Sequence, residues 1–121
     1  MKHILLVDDD SVFLSSLAEM LRLTDRNFAV FTAENGEQAV AIMDTMPIDL
    51  LITDLRMPVM DGLELTLRTA ENHPEIPVIV MSACGPVSAT GELGMDVPYI
   101  DKPLDIPELI GTVRSLLRGA A

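Results

Sequence analysis

Three consecutive carboxylates, Asp8, Asp9 and Asp10, follow directly on an apolar run, Ile4-Leu5-Leu6-Val7. Asp54 follows a second run, Leu50-Leu51-Ile52-Thr53; Ser82 follows Val78-Ile79-Val80-Met81; and Lys102 comes just after Tyr99-Ile100. Such a set can bind a hard cation and pass on a phosphoryl group. If the first and third runs lie side by side, Asp8, Asp9 and Asp54 converge. Two carboxylates about 4 Å apart repel by roughly 4 kcal/mol at an effective dielectric of 20, so the pocket calls for a cation. Oxygen-only ligands at a small open site suit Mg²⁺, which keeps several waters and bridges to phosphate. Lys102 would supply a second positive charge, free to meet an incoming phosphoryl oxygen. A carboxylate between a metal and a lysine is a plausible phosphoryl acceptor.

The elements that must hold these groups are legible. The apolar runs at 4–7, 50–53 and 78–81 read as strands buried on both faces. Residues 28–33 read as a weaker strand and Tyr99-Ile100 as a short fifth one. Between them lie helical patterns. Residues 11–23 place Leu14, Leu17, Met20 and Leu21 at helical spacing. Asn35 with Gln38, and Asp61 with Glu64, have the spacing of capping boxes opening helices over 35–46 and 61–71. The last helix carries Ile106, Leu109, Ile110, Val113, Leu116 and Leu117 on one stripe, with Asp105 and Glu108 to cap it and Pro107 in its first turn. Five buried strands alternating with helices give a parallel sheet with helices on both faces. Ligands in such sheets bind beyond the carboxyl ends of the strands, where Asp8, Asp9, Asp54, Ser82 and Lys102 fall. One segment resists the pattern: residues 84–98 hold Gly85, Pro86, Gly91, Gly94 and Pro98, which predicts a short or irregular helix before the fifth strand.

Composition narrows the alternatives. A chain of 121 residues fits one domain, residues 1–121. Its net charge of -11 argues against direct nucleic-acid binding and against an anionic membrane surface. One Cys excludes an internal disulfide and a cysteine-based zinc site. The four apolar residues near the N-terminus are too few for a signal peptide or a membrane span, and the expected compartment is the cytoplasm. Aromatic residues make up only 3%, so the core should be aliphatic, with the eight Met filling gaps.

The motifs Ile4-Leu5-Leu6-Val7-Asp8-Asp9-Asp10, Asp54-Leu55-Arg56-Met57-Pro58 with Met60-Asp61-Gly62, Met81-Ser82-Ala83, and Tyr99-Ile100-Asp101-Lys102-Pro103 stand in order along nearly the whole chain. Together they resemble the receiver domain of two-component response regulators. The resemblance implies the flavodoxin-like strand order 2-1-3-4-5. It implies that Asp54 is the phosphoacceptor, taking its group from a phosphohistidine of a sensor kinase or phosphotransfer protein. It implies Mg²⁺ on Asp9, Asp54 and the backbone carbonyl of Arg56, with Asp8 assisting through water. Lys102 and Ser82 would bind phosphoryl oxygens, helped by the backbone N–H of Ala83. Tyr99 would be the aromatic switch, and Lys102–Pro103 a candidate cis peptide. The output would be a changed surface near Ser82 and Tyr99, read by an effector, an output domain or a second copy in a homodimer, with no enzymatic activity beyond the domain's own phosphorylation and dephosphorylation.

Competing readings attach to particular residues. Asp8-Asp9-Asp10-Ser11-Val12 also fits the opening of haloacid-dehalogenase-type phosphatases, with Asp8 as nucleophile and Asp10 as acid, although the chain has no room for a cap. A receiver-like module that binds a partner without being phosphorylated is a third reading. Asp10 on its own is expected to cap a helix. His3 and His73 read as structural or exposed, and Cys84 as a small filler. Thr66 and Thr69 stand where the third helix should present aliphatic residues to the sheet. The chain is either a stand-alone regulator or a receiver from a longer protein, in which 118–121 would begin a linker.

Overall fold

The computed structural model describes residues 1–57, 59–82, 97–102 and 104–119. The elements run β1 (Lys2–Val7), α1 (Ser11–Thr24), β2 (Phe28–Ala33), α2 (Gly36–Thr45), β3 (Leu50–Asp54), α3 (Gly62–Asn72), β4 (Val78–Ser82), β5 (Tyr99–Asp101) and α4 (Ile106–Gly119). The strands form one sheet in the order β2-β1-β3-β4-β5, with every neighbouring pair parallel. The irregular helix expected over 84–98 falls mostly outside the described residues, as do the Ala83 N–H, Cys84 and the Lys102–Pro103 peptide.

Side-chain alternation along the strands divides the core into two layers. Ile4, Leu6, Leu50, Ile52, Ile79, Met81 and Ile100 face α1 and α4, where Leu14, Leu17, Leu21, Leu109 and Val113 meet them. Leu5, Val7, Leu51, Val78 and Val80 face α2 and α3, meeting Ala39, Met43 and Leu65. Ile4, Leu5, Leu6, Leu50, Leu51, Ile52 and Ile79 are all fully buried, each contributing about 1.5–3 kcal/mol of hydrophobic stabilisation. This double burial explains why the strands read as unbroken apolar runs. Among the described residues, no helix is long and apolar enough to cross a membrane.

The helix starts follow the expected caps, with one difference of detail. Asp10 accepts from the N–H groups of Val12 and Phe13, Asn35 from Gln38, Asp61 from Glu64 and Asp105 from Glu108. The reciprocal halves of the two boxes go elsewhere. The Gln38 amide oxygen accepts from the N–H of Glu34, one residue further back, and the Glu64 carboxylate turns forward to Arg68 at 2.9 Å. Thr66 and Thr69 are fully buried where aliphatic residues were expected. Their hydroxyls donate to the carbonyls of Gly62 and Leu65 one turn earlier, at 2.7 and 2.8 Å, so the polar atoms are satisfied inside the helix.

Candidate functional site

Strand register sets the site. Val7 pairs with Thr53, so Asp8 and Asp54 emerge level with one another at the carboxyl edge of adjacent strands. Ser82 pairs with Asp101, which brings Lys102 out one residue beyond the end of β4. The backbone confirms the alignment, since the Lys102 N–H donates to the Ser82 carbonyl at 3.0 Å.

Asp8, Asp9 and Asp54 converge as expected: one carboxylate oxygen from each lies within 4.8 Å of the other two. Asp8 and Asp54 are buried and Asp9 is exposed, so the cluster opens to solvent on one side. The sequence supposed Lys102 free to meet a phosphoryl oxygen; in the structure its ammonium is engaged. Nζ lies 2.8 Å from Asp8 Oδ2 and 3.1 Å from Asp54 Oδ1, and 4.5 Å above the Phe13 ring. The reason is electrostatic. Two carboxylates held against each other at the sheet edge attract the nearest cation, and Phe13, presented by the first turn of α1, adds a cation–π contact. The other oxygen of Asp8 accepts from the Asp10 N–H at 3.0 Å, which fixes its carboxylate at the mouth of α1.

These contacts shift two titrations. Burial pushes the Asp54 carboxyl above its ordinary value; the Lys102 hydrogen bond opposes the rise and the charge of Asp8 adds to it. Desolvation alone would lower Lys102. Its hydrogen bonds to Asp8 and Asp54 outweigh that, and the ammonium is held above its usual range.

Ser82 is buried at the end of β4, and its carbonyl accepts a second donor, the Tyr99 hydroxyl, at 2.8 Å. Tyr99 is half-buried and packs on the layer that contains Val80. The predicted switch residue is thus tied to the strand that carries the predicted phosphoryl-binding serine. Arg56 lies exposed on the loop that follows Asp54. That loop closes tightly: the Gly62 N–H donates to the Leu55 carbonyl at 2.8 Å, and a Cβ on Gly62 would stand 2.2 Å from the Asp54 carbonyl oxygen, a fit only glycine allows.

Asp10 is not part of the cluster: its Oδ1 accepts from the first N–H groups of α1, a capping role that weighs against its use as the acid of the phosphatase reading. His3 and His73 have structural partners. The His3 N–H donates to Asp49 at 2.8 Å and its ring tilts against Phe31, while His73 Nε2 sits 2.9 Å from Asp44. Sequence reasoning missed Phe13 as a member of the site. Its place three residues after the Asp8-Asp9-Asp10 run, one turn into a helix, was the available signal.

A doubly wound α/β domain with this strand order, and with three carboxylates and a lysine at the carboxyl edge of its sheet, is of the receiver class. The chain matches the response regulator receiver domain over residues 4–114 and belongs to that family. It is 40% identical over 121 residues to the transcriptional regulatory protein CpxR of Klebsiella pneumoniae, covering 98% of this chain and 50% of that protein. It is 35% identical over 122 residues to the transcriptional regulatory protein GlrR of Escherichia coli, covering 98% of this chain and 27% of the other. The chain therefore spans about a quarter to a half of the length of these curated relatives. Among solved structures, the response regulator TrrA of Thermotoga maritima in complex with Mg²⁺-BeF is 31% identical with a TM-score of 0.84, covering 96% of this chain and 99% of that one.

Proposed function

We propose that this receiver domain is a cytoplasmic phosphoacceptor switch in which Asp54 takes a phosphoryl group from the phosphohistidine of a sensor kinase or phosphotransfer protein. The observation that carries this reading is the convergence of Asp8, Asp9 and Asp54 around one point, with Lys102 bridging two of them. The donor set fits Mg²⁺: it is all oxygen, partly open to water and strongly acidic. Asp9, Asp54 and the Arg56 carbonyl would hold the ion, with Asp8 assisting. When bound, the ion supplies positive charge against the negative charge that develops on the transferred oxygens.

The chain's own residues do the rest. An Asp54 oxygen attacks phosphorus in line; the new P–O bond forms as the P–N bond breaks, and its electron pair returns to the imidazole nitrogen. Attack requires the ionised carboxylate, which Lys102 favours against the cost of burial. Transfer spreads the negative charge of Asp54 onto phosphoryl oxygens, and the Lys102 ammonium follows it. Ser82 lies on the same edge and would donate to another oxygen. Because the Ser82 carbonyl holds both Lys102 and Tyr99, movement there passes to the β5 surface. That surface would be read by an effector, an output domain or a second copy. The domain acts on no other substrate and is not an enzyme in the usual sense.

Incubation with a small phosphodonor, with and without Mg²⁺, followed by mass spectrometry, tests the reading. Stoichiometric, Mg²⁺-dependent modification at Asp54, lost in Asp54→Asn, is expected. Multiple turnover of a phosphomonoester that survives Asp54→Asn but not Asp8→Asn would mean a hydrolase. No modification by phosphodonor or kinase would leave a binding module.

A further inference from the structure

The loop between β3 and α3 is fastened at two points. At its base, Gly62 lies against the Asp54 and Leu55 backbone. Higher on the loop, Met60 is buried and seated on the first residue of α2: a Cβ added to Gly36 would stand 2.7 Å from Met60 Cβ, Cγ and Sδ alike. The contact includes the Cβ of Met60, so its backbone, and not only a flexible tip, is positioned by the bare face of Gly36. Immediately before Met60, Val59 is 71% exposed and held at φ 71°, a left-handed conformation unfavourable for a β-branched residue. An exposed side chain has no packing of its own to offset that cost, so the anchored Met60 beside it is what holds it there.

We infer that Gly36 and Met60 are positioning residues for the phosphoacceptor site: the Met60 side chain, seated on Gly36 at the N-terminus of α2, holds the loop after Asp54 in the shape that cation binding needs. This rests on the reading of Asp8, Asp9, Asp54 and the Arg56 carbonyl as the Mg²⁺ site. Groups that orient metal ligands without touching the metal characteristically alter its affinity when changed. An alanine at Gly36 pushes Met60 and its loop outward. An alanine at Met60 leaves the loop without its anchor. The two changes together relieve the contacts with Cγ and Sδ and leave the one with the Met60 Cβ.

The test is Mg²⁺ titration of the unphosphorylated domain, followed by amide shifts at Asp9 and Asp54, alongside urea unfolding of each protein. Gly36→Ala should weaken Mg²⁺ binding on the order of tenfold. Met60→Ala should weaken it in the same direction. Leu21→Ala, a core change beneath the far end of α1, should lower the urea midpoint and leave Mg²⁺ affinity unchanged. Both single variants binding Mg²⁺ within twofold of the parent, with only their urea midpoints lowered, would reduce the contact to packing and overturn the inference. A parent domain that does not bind Mg²⁺ would instead overturn the site reading, and the inference with it.

Discussion

Replacing Lys102 by Met should expose how much of the fold's stability rests on one cation. At 2.8 Å from Asp8 and 3.1 Å from Asp54, the gross attractions are about 6 and about 5 kcal/mol at an effective dielectric of 20. Most of this is offset by desolvation. The consequence of removal is better judged from broken buried pairs, which cost about 3–5 kcal/mol because the partner charge is stranded. Lys102 retains 24% exposure of its side chain, which places the loss near the lower end, about 3 kcal/mol. That is a large share of the roughly 5–15 kcal/mol available to a domain of this size. The loss should depend on pH. Asp54 is already raised by burial, and without Lys102 nothing comparable opposes the rise. A carboxyl whose folded pKa exceeds its unfolded value contributes stability that is complete below the unfolded value and disappears as pH climbs through the folded one. Lys102→Met should therefore approach the parent at pH 4 and fall furthest behind at pH 7. Urea midpoints measured in a chelator across that range give the answer. Adding Mg²⁺ at neutral pH should restore the variant more than it stabilises the parent. A variant as stable as the parent at pH 7, with the same pH profile, would refute the idea that Lys102 holds the two carboxylates together.

Asp54→Asn should raise the urea midpoint at neutral pH, because it removes an ionised group whose largest perturbation is desolvation, and the gain should shrink as the solution is acidified. Gly62→Ala should cost about 3 kcal/mol or more by thermal unfolding, since its methyl would meet backbone on both contacts, 2.2 Å from the Asp54 oxygen and 2.8 Å from Leu55 Cα, and neither can yield cheaply. Asp10→Ala should cost about 1 kcal/mol through loss of the α1 cap while phosphorylation of Asp54 by a small donor persists; loss of phosphorylation would restore Asp10 to the chemistry.

The sequence made some levels of this structure plain and hid others. Strands buried on both faces print as apolar runs, so β1, β3 and β4 were visible to within a residue or two. Helix caps are local, and Asp10, Asn35, Asp61 and Asp105 could be picked out by type and spacing. The strand order came from resemblance, because parallel strands joined by helices leave the order open until the chain is folded. The convergence of Asp8, Asp9 and Asp54 followed once that order was assumed. What stayed hidden was contact across the fold. The sequence offers no sign that Lys102, 94 residues from Asp8, is already paired with it, nor that Met60 rests on Gly36. Those facts depend on side-chain direction at the ends of elements, which periodicity does not encode. Thr66 and Thr69 looked misplaced because a residue type was judged by polarity alone, when a buried hydroxyl can bond back to its own helix.

The seat of Met60 has a consequence for oxidative chemistry. Met60 is 5% exposed, whereas Met1 is 77% exposed, so peroxide should oxidise the terminus well before the loop. The ratio of the two sulfoxides should then report how often the Met60 seat opens. Once oxidised, the larger and polar sulfoxide would no longer fit a notch sized for bare glycine.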